Sequence, residues 1–381
     1  MSAMSRTSEP RIAIVGGGIG GLVLAGLLHR YGIAAMLHER DTGLDARAHG
    51  GSLDLHPESG QRALDELGLS EGFRADARPE GEDLRILDPA GKVLGRHAPE
   101  PGEGTRPEID RGSLRRLLLS KVPDTAIGWG RHVTGVQQLA TGGHRLTFVD
   151  GTQTHCDILI GADGGRSRIR PLLTDARPVH LSAYLQLTIT DADRRRPRIS
   201  QFVGPGSLMA LGNNINLGAQ RSGDGTIRVS VTVRTDADWI GRQRFHDEDW
   251  AGIVTRLRDM FAGWDPELTA MIDACDPGSL VARNIEALPV GTRWSSRPDV
   301  TLLGDAAHLM PPVGEGANQA MLDGVLLARA IAEHADHPAA AIAAYETEMF
   351  ERTAAIAAGS ARIERMGLAP DAAERMAAFI A

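Results

Sequence analysis

Apolar and polar positions divide the chain into two rhythms. Short unbroken apolar runs, each stopped by glycine or a charged residue, occur at Ile12 to Val15, Ala34 to Leu37, Asp157 to Ile160 and Val300 to Leu303. Runs of this length bounded by turn signals read as strands buried on both faces, and their alternation with helical stretches (residues 22–31 and 113–119) predicts a parallel α/β sheet. Between residues 178 and 280 the rhythm becomes alternation, over 184–189, 200–203, 207–211, 215–219 and 226–233. Gly204-Pro205-Gly206, Asn213-Asn214 and Ser222-Gly223-Asp224-Gly225 separate these runs. That pattern predicts an antiparallel sheet, inserted into the first domain and closed by a helix over 250–261, after which Ile285 to Leu288 leads back.

Smaller elements complete the map. Leu84 to Leu87 and Lys92 to Leu94 flank Asp88-Pro89-Ala90-Gly91 as a hairpin that interrupts the first domain, and a second hairpin joins 133–139 to 144–149. A long helix runs from near Ala317 to about Arg365. The expected partition is 11–78 with 104–177 and 281–325 for the α/β domain, 79–103 with 178–280 for the sheet domain, and 326–381 for C-terminal bridging helices. Residues 1–10 read as a disordered leader.

Composition narrows the picture. At 381 residues the chain exceeds the usual single-domain size, and a net charge of -8 argues against a nucleic-acid partner. The apolar stretch from Ala13 to Leu28 is too short for a membrane span and is broken by Gly16, Gly17, Gly18, Gly20 and Gly21. The two cysteines, Cys156 and Cys275, lie in no metal-ligand spacing and form no disulfide framework, which fits a reducing cytoplasm and no bound metal.

Three stretches carry candidate chemistry. Gly16, Gly18 and Gly21 stand in G-x-G-x-x-G spacing between the first strand and its helix. Such glycines let a pyrophosphate approach amides at a helix N-terminus. Glu39, in His38-Glu39-Arg40 about 20 residues on, stands where an acid binds a ribose hydroxyl. Asp163 and Asp305 each end a buried strand in a glycine turn. After Asp305, Pro311 and Pro312 form a rigid turn, Gly314 and Gly316 allow close backbone approach, and a helix with exposed amides begins near Ala317. His308 in that stretch reads as a structural hydrogen-bonder, and Arg111 opens a helix where a cation gains nothing from the dipole. One glycine-rich phosphate site and two distant strand-end aspartates call for a dinucleotide with an extended tail.

In these motifs and their order (Gly16 to Gly21, Asp163-Gly164, Gly304-Asp305) the chain resembles the FAD-dependent group A aromatic monooxygenases, the family of para-hydroxybenzoate hydroxylase. Through GGSLDLH at 50–56, PEIDRGSLRRLLL at 107–119 and GDAAHLMPP at 304–312 it is most similar to the TetX-type tetracycline-inactivating enzymes, linked to antibiotic resistance. The resemblance implies a Rossmann-like FAD-binding domain interleaved with an antiparallel β-sheet substrate domain, braced by a long C-terminal helix. It implies FAD held tightly but without a covalent bond by Gly16, Gly18, Gly21, Glu39, Arg40, Arg47, Arg111, Asp163, Asp305, Pro312, Gly316, Ala317 and Asn318.

The same resemblance puts Gln186, Ser207, Arg228, Pro312 and Gly314 on the substrate side. Ser207 and Arg228 stand where the TetX-type enzymes carry an arginine and a histidine. It also implies NADPH as a transient reductant, O2 as co-substrate, a flavin C4a-hydroperoxide as oxidant, no catalytic acid or base among the side chains, and a cytoplasmic monomer acting on an aromatic or polycyclic small molecule. Two enzyme classes of similar fold, reductase or desaturase and halogenase, and a non-enzymatic FAD-binding module are the alternatives. The halogenase reading is weakened because Lys92 lies in a hairpin turn and no W-x-W-x-I-P stretch is present.

Overall fold

The computed structural model describes residues 11–46, 50–100 and 104–380. In chain order its strands are β1 Ile12–Val15, β2 Ala35–His38, β3 Ser52–Asp54, β4 Leu84–Leu87, β5 Val93–His97, β6 Glu108–Asp110, β7 Ile127–Gly128, β8 Val133–Gln138, β9 His144–Phe148, β10 Gln153–Cys156, β11 Ile158–Gly161, β12 Val179–Ile189, β13 Ser207–Gly212, β14 Ile215–Arg221, β15 Ile227–Val233, β16 Val281–Ala287 and β17 Val300–Leu302. The runs read as doubly buried make the central sheet. Its order is β17-β11-β1-β2-β7, every pair is parallel, and β1, β11 and β17 are buried throughout. The helices Ile19–Arg30 and Glu315–Glu333 pack together against it, and Gly20 permits this because a Cβ there would lie 2.6 Å from the Ala320 carbonyl oxygen.

The alternating runs make a seven-stranded sheet, β16-β12-β15-β14-β13-β4-β5. One face of it is apolar. Leu185, Leu187, Leu208, Leu217, Val229 and Val231 pack on the helices Trp250–Asp259 and Pro266–Asp273. The opposite face meets the α/β domain and, at the β4 end, the helix Ala372–Ile380, which joins Ile86 and Leu211 in a small core. The helix Pro338–Gly367 spans the two domains. Tyr345 donates to the Leu302 carbonyl at 3.0 Å in one, and Glu364 accepts from Ser182 of β12 at 2.8 Å in the other. Among the described residues no helix is long and apolar enough to cross a membrane.

Three expectations are corrected. Residues 200–203 are not a strand but the end of the helix Pro197–Val203: Pro197 starts it, and Ser200 and Val203, three apart, share its buried side. Four residues alternate too briefly to separate the two periods. The segment expected to lead back into the α/β domain, Ile285 to Leu288, instead begins inside β16, Val281–Ala287, the edge strand of the seven-stranded sheet, paired antiparallel with β12. The long helix also ends at Glu333 and restarts at Pro338, because a proline opens the second piece. Both cysteines are free and buried, and burial raises both thiols, Cys156 to about 12.

Candidate functional site

Four strand ends form one rim. β17, β11, β1 and β2 are successive parallel neighbours, so their carboxyl ends stand about 4.8 Å apart in the pairing direction. From them rise, in that order, Gly304-Asp305, Asp163-Gly164, the Gly16–Gly21 turn and Glu39-Arg40. In open parallel sheets this edge is where ligands bind.

The three glycines of the turn serve different needs. Gly16 has φ +111°, and a Cβ there would lie 2.2 Å from the Ala162 carbonyl oxygen; on Gly21 it would lie 2.1 Å from the Gly16 carbonyl oxygen. Gly18, at φ -71°, is ordinary backbone, and a Cβ there would meet nothing within 4 Å. Gly16 and Gly21 are therefore small for the fold, and Gly18 faces open space at the start of the helix Ile19–Arg30, which has no side-chain cap. Beside it Glu39 is buried, its two oxygens accepting from Gly17 N at 2.6 Å and Asp41 N at 2.9 Å. Arg40 is exposed, and Arg47 lies outside the described residues.

The two aspartates differ. Asp163 Oδ2 accepts from Arg168 N at 2.7 Å, while its Oδ1 is buried and takes no hydrogen bond among the described residues. Burial pushes its pKa up against the Ser167 hydroxyl and nearby amides. Asp305 is open to solvent at the strand end, yet protein crowds round its carboxyl and pushes its pKa up, opposed by His308, Arg111 and Arg170. A Cβ on Gly316 would lie 3.7 Å from Asp305 Oδ1, which sets the carboxyl near the N-terminus of the helix Glu315–Glu333. Gly316 and Ala317 lie in its first turn. Pro312 and Gly314 are exposed before it. The Asn318 side chain is fully buried and committed elsewhere: it donates to the carbonyls of Asp54 at 2.8 Å and Gly314 at 3.1 Å and accepts from His56 N at 2.9 Å.

Two groups that hold this rim were not singled out from the sequence. Arg170 is buried and joins both aspartate turns, donating through Nε to Ala306 O at 2.7 Å and through Nη2 to Gly165 O at 2.8 Å and Asp305 O at 3.0 Å. Asp323, in the helix behind, accepts from Gly304 N at 2.7 Å, His308 Nε2 at 2.6 Å and Arg352 Nη2 at 2.5 Å. Burial alone would raise its pKa, but these partners hold it down to about 2. His308 thus anchors the turn. An arginine in Gly-Arg-Ser-Arg-Ile-Arg carries no sign in sequence of being the buried one.

Register settles the sheet side. Opposite partners across antiparallel pairs share a face, so Arg228, Gln220 and Ser207 form one row and Gln186, Ser230, Gly218 and Met209 the next. Gln186, Arg228 and Ser207 therefore share the face opposite the apolar one. Gln186 and Arg228 are diagonal neighbours about 7–8 Å apart, and Ser207 lies about 10 Å from Arg228, two strands away. Arg228 and Arg111 line a cleft of about 400 Å³ between the domains, with Gly51, Asp110, Ser113 and Ser222. The open approach over Gly18 and the unsatisfied Asp163 Oδ1 on the same rim fit a dinucleotide with a polyhydroxylated tail, as FAD has. Among the described residues no group of three or more potential ligands fits a metal ion.

A family model described as an FAD binding domain matches residues 9–360. "Monooxygenase penA" of Penicillium thymicola is 29% identical over 372 residues, 85% of each chain. The "FAD-dependent urate hydroxylase" of Mycolicibacterium vanbaalenii is 30% identical over 363 residues, 90% of this chain and 85% of its own. Among solved structures, Klebsiella pneumoniae HpxO complexed with FAD and uric acid superposes with TM-score 0.79 at 22% identity, covering 100% of this chain and 94% of its own. The tetracycline destructase Tet(51) does so with TM-score 0.72 at 20% identity, covering 98% and 96%. The special likeness to TetX-type enzymes is therefore one of fold, at low identity. With glycine turn and both aspartate turns on one rim and a match that spans nearly the whole chain, this protein belongs to the FAD-binding-domain family and is an FAD-dependent flavoprotein monooxygenase.

Proposed function

We propose that the protein uses NAD(P)H and O2 to hydroxylate an aromatic or polycyclic small molecule held between the rim and the polar face of the seven-stranded sheet. The observation that carries this reading is that Gln186 and Arg228 share the polar face of the sheet, where Arg228 meets Arg111 in the cleft between the domains. When bound, FAD would supply the redox chemistry by which NAD(P)H, a proton and O2 give the hydroxylated product and one water.

The chain's own residues bind and orient. The turn over Gly18 receives the pyrophosphate at a helix N-terminus, Glu39 takes the adenosine ribose, and Asp163, Asp305 and Arg111 take the hydroxylated tail. The first-turn amides of Gly316 and Ala317 donate to an anionic edge of the bound ring. Arg228 gives the sheet face a cation, which suits a substrate with an acidic or strongly accepting group. The name of the urate hydroxylase, which acts on an acidic heteroaromatic ring, fits that polarity. A tetracycline remains a member of the test panel through Gln186 and the fold shared with Tet(51).

The test is NADPH and NADH oxidation with and without a panel of phenols, hydroxybenzoates, urate and tetracyclines, followed by product mass. One panel compound is expected to stimulate oxidation and to gain one oxygen atom, labelled when 18O2 is used. Oxidation with no oxygen gained would turn the reading to a reductase or desaturase, and chloride-dependent product to a halogenase. Gln186→Ala is expected to raise KM for that compound severalfold at unchanged flavin content. A fall in flavin content with unchanged KM would take Gln186 off the substrate side.

A further inference from the structure

The polar face of the seven-stranded sheet is covered along only part of its width. One row of cross-strand partners runs from Gly95 of β5 through Ile86, Met209, Gly218 and Ser230 to Gln186 of β12, and ends at Val281 on the edge strand. At the β5 end a Cβ on Gly95 would lie 2.9 Å from Ala377 Cα of the helix Ala372–Ile380, and Ile86 and Met209 pack in the small core that this helix closes. Farther along, that cover ends. A Cβ on Gly218 would meet only Ser230 Oγ at 2.7 Å and Leu208 O at 3.7 Å, both atoms of the sheet itself. Ser230 and Gln186 are half-buried, and Val281 is 57% exposed. In the next row Tyr184 lies between Arg283 of β16 and Thr232 of β15, and it is the one aromatic residue of these two rows. Tyr184 is half-buried, with the Arg283 guanidinium carbon 4.7 Å from its ring centroid. Toward β15 its neighbours are short: Thr232 in its own row, Ser230 and Gly218 in the adjacent one.

We propose that Tyr184 is a specificity-determining residue: its ring is the aromatic wall of the substrate site, against which a flat ring lying over Ser230 and Gly218 packs beside Gln186, and Arg283 is the positioning residue that holds the wall in place. The proposal rests on the reading of this sheet face as the substrate side. Aromatic rings in edge-to-face or offset contact attract one another beyond the burial of their area, so such a wall favours a flat unsaturated ring over a saturated one of the same size. The short residues beside it leave room for that ring, whereas the β5 end of the same row is filled by the helix Ala372–Ile380. A half-buried ring next to open space can change rotamer. The attraction between the Arg283 guanidinium and the ring face opposes that change.

Titration of the FAD-loaded protein with 4-hydroxybenzoate, urate and tetracycline, followed by the flavin absorbance band, reads binding without turnover. At least one of the three is expected to move the band. For that compound Tyr184→Leu is expected to raise Kd about fivefold and Tyr184→Phe to stay within about twofold of wild type, both at unchanged flavin content. Arg283→Gln is expected to raise Kd about twofold by itself and to add nothing to Tyr184→Leu, because it acts through the ring. Equal losses in Tyr184→Phe and Tyr184→Leu, wild-type Kd in Tyr184→Leu, a further loss when Arg283→Gln is added to it, or a band that none of the three compounds moves would overturn the proposal. The two readings fail separately. If Gln186→Ala weakens binding and Tyr184→Leu does not, the aromatic wall is wrong and the substrate face stands. If Tyr184→Leu weakens binding as expected but the bound compound gains no oxygen with NAD(P)H, the wall stands and the hydroxylation reading is wrong.

Discussion

Gly18→Val is expected to give a folded protein that no longer retains FAD, whereas Gly16→Val is expected to fail at folding. At Gly18 the backbone is in an ordinary conformation and a Cβ meets nothing within 4 Å, so the fold tolerates the side chain. The space it enters is the one over the helix N-terminus where a pyrophosphate must approach the amides. A loss of about 3 kcal/mol or more of cofactor binding, about 100-fold in Kd, is expected. At Gly16 the residue is at φ +111° and a Cβ would lie 2.2 Å from the Ala162 carbonyl; backbone strain and the clash together cost about 3 kcal/mol or more. Flavin absorbance per folded protein and the midpoint of chemical unfolding separate the two outcomes. A yellow, stably folded Gly18→Val protein would show that the cofactor does not pass over this turn.

Arg170→Met is expected to lower both stability and flavin retention, by about 3–5 kcal/mol in the first. The side chain is buried and supplies the donors for the carbonyls of Ala306, Gly165 and Asp305. Methionine fills comparable space but leaves three acceptors unmet, and each buried acceptor without a donor costs about 1–3 kcal/mol before relaxation. The two aspartate turns would also lose the cation that favours their charged forms. Arg170→Lys is expected to rescue little, because one ammonium cannot reproduce the planar fork that reaches both turns at once. Urea unfolding with and without added FAD checks this. A variant of wild-type stability and wild-type flavin content would remove Arg170 as the link between the turns.

Much of the site was legible along the chain, for a local reason. Gly16, Gly164 and Gly304 all adopt positive φ, a conformation that favours glycine over any other residue type, so the turns that shape the rim are written in the residues that occupy them. Asp163 and Asp305 follow buried apolar runs and were legible as strand-end groups. Other parts were illegible because their partners are remote. Arg170 looks like any arginine until the Asp305 turn, 135 residues away, is beside it. Glu108 and Gln220 are separated by 112 residues and meet only across the domain seam. Asn318 is expected to offer its backbone amide at a helix N-terminus, and what the sequence does not show is that its side chain ties the helix Glu315–Glu333 to the end of β3 and the residues after it.

By itself the sequence determined the alternation of element types, the three turns and their order, because strand burial, positive φ and close backbone approach are demands that each residue meets locally. The tertiary structure alone decided that β17, β11, β1 and β2 are neighbours, so that four motifs become one rim. It also decided that Gln186, Arg228 and Ser207 share a face, that β16 joins the seven-stranded sheet, and that residues 200–203 are helical. Pairing partners and burial are set by contacts between distant segments. A one-residue change of register would turn the sheet's polar face into its core with no change in local pattern.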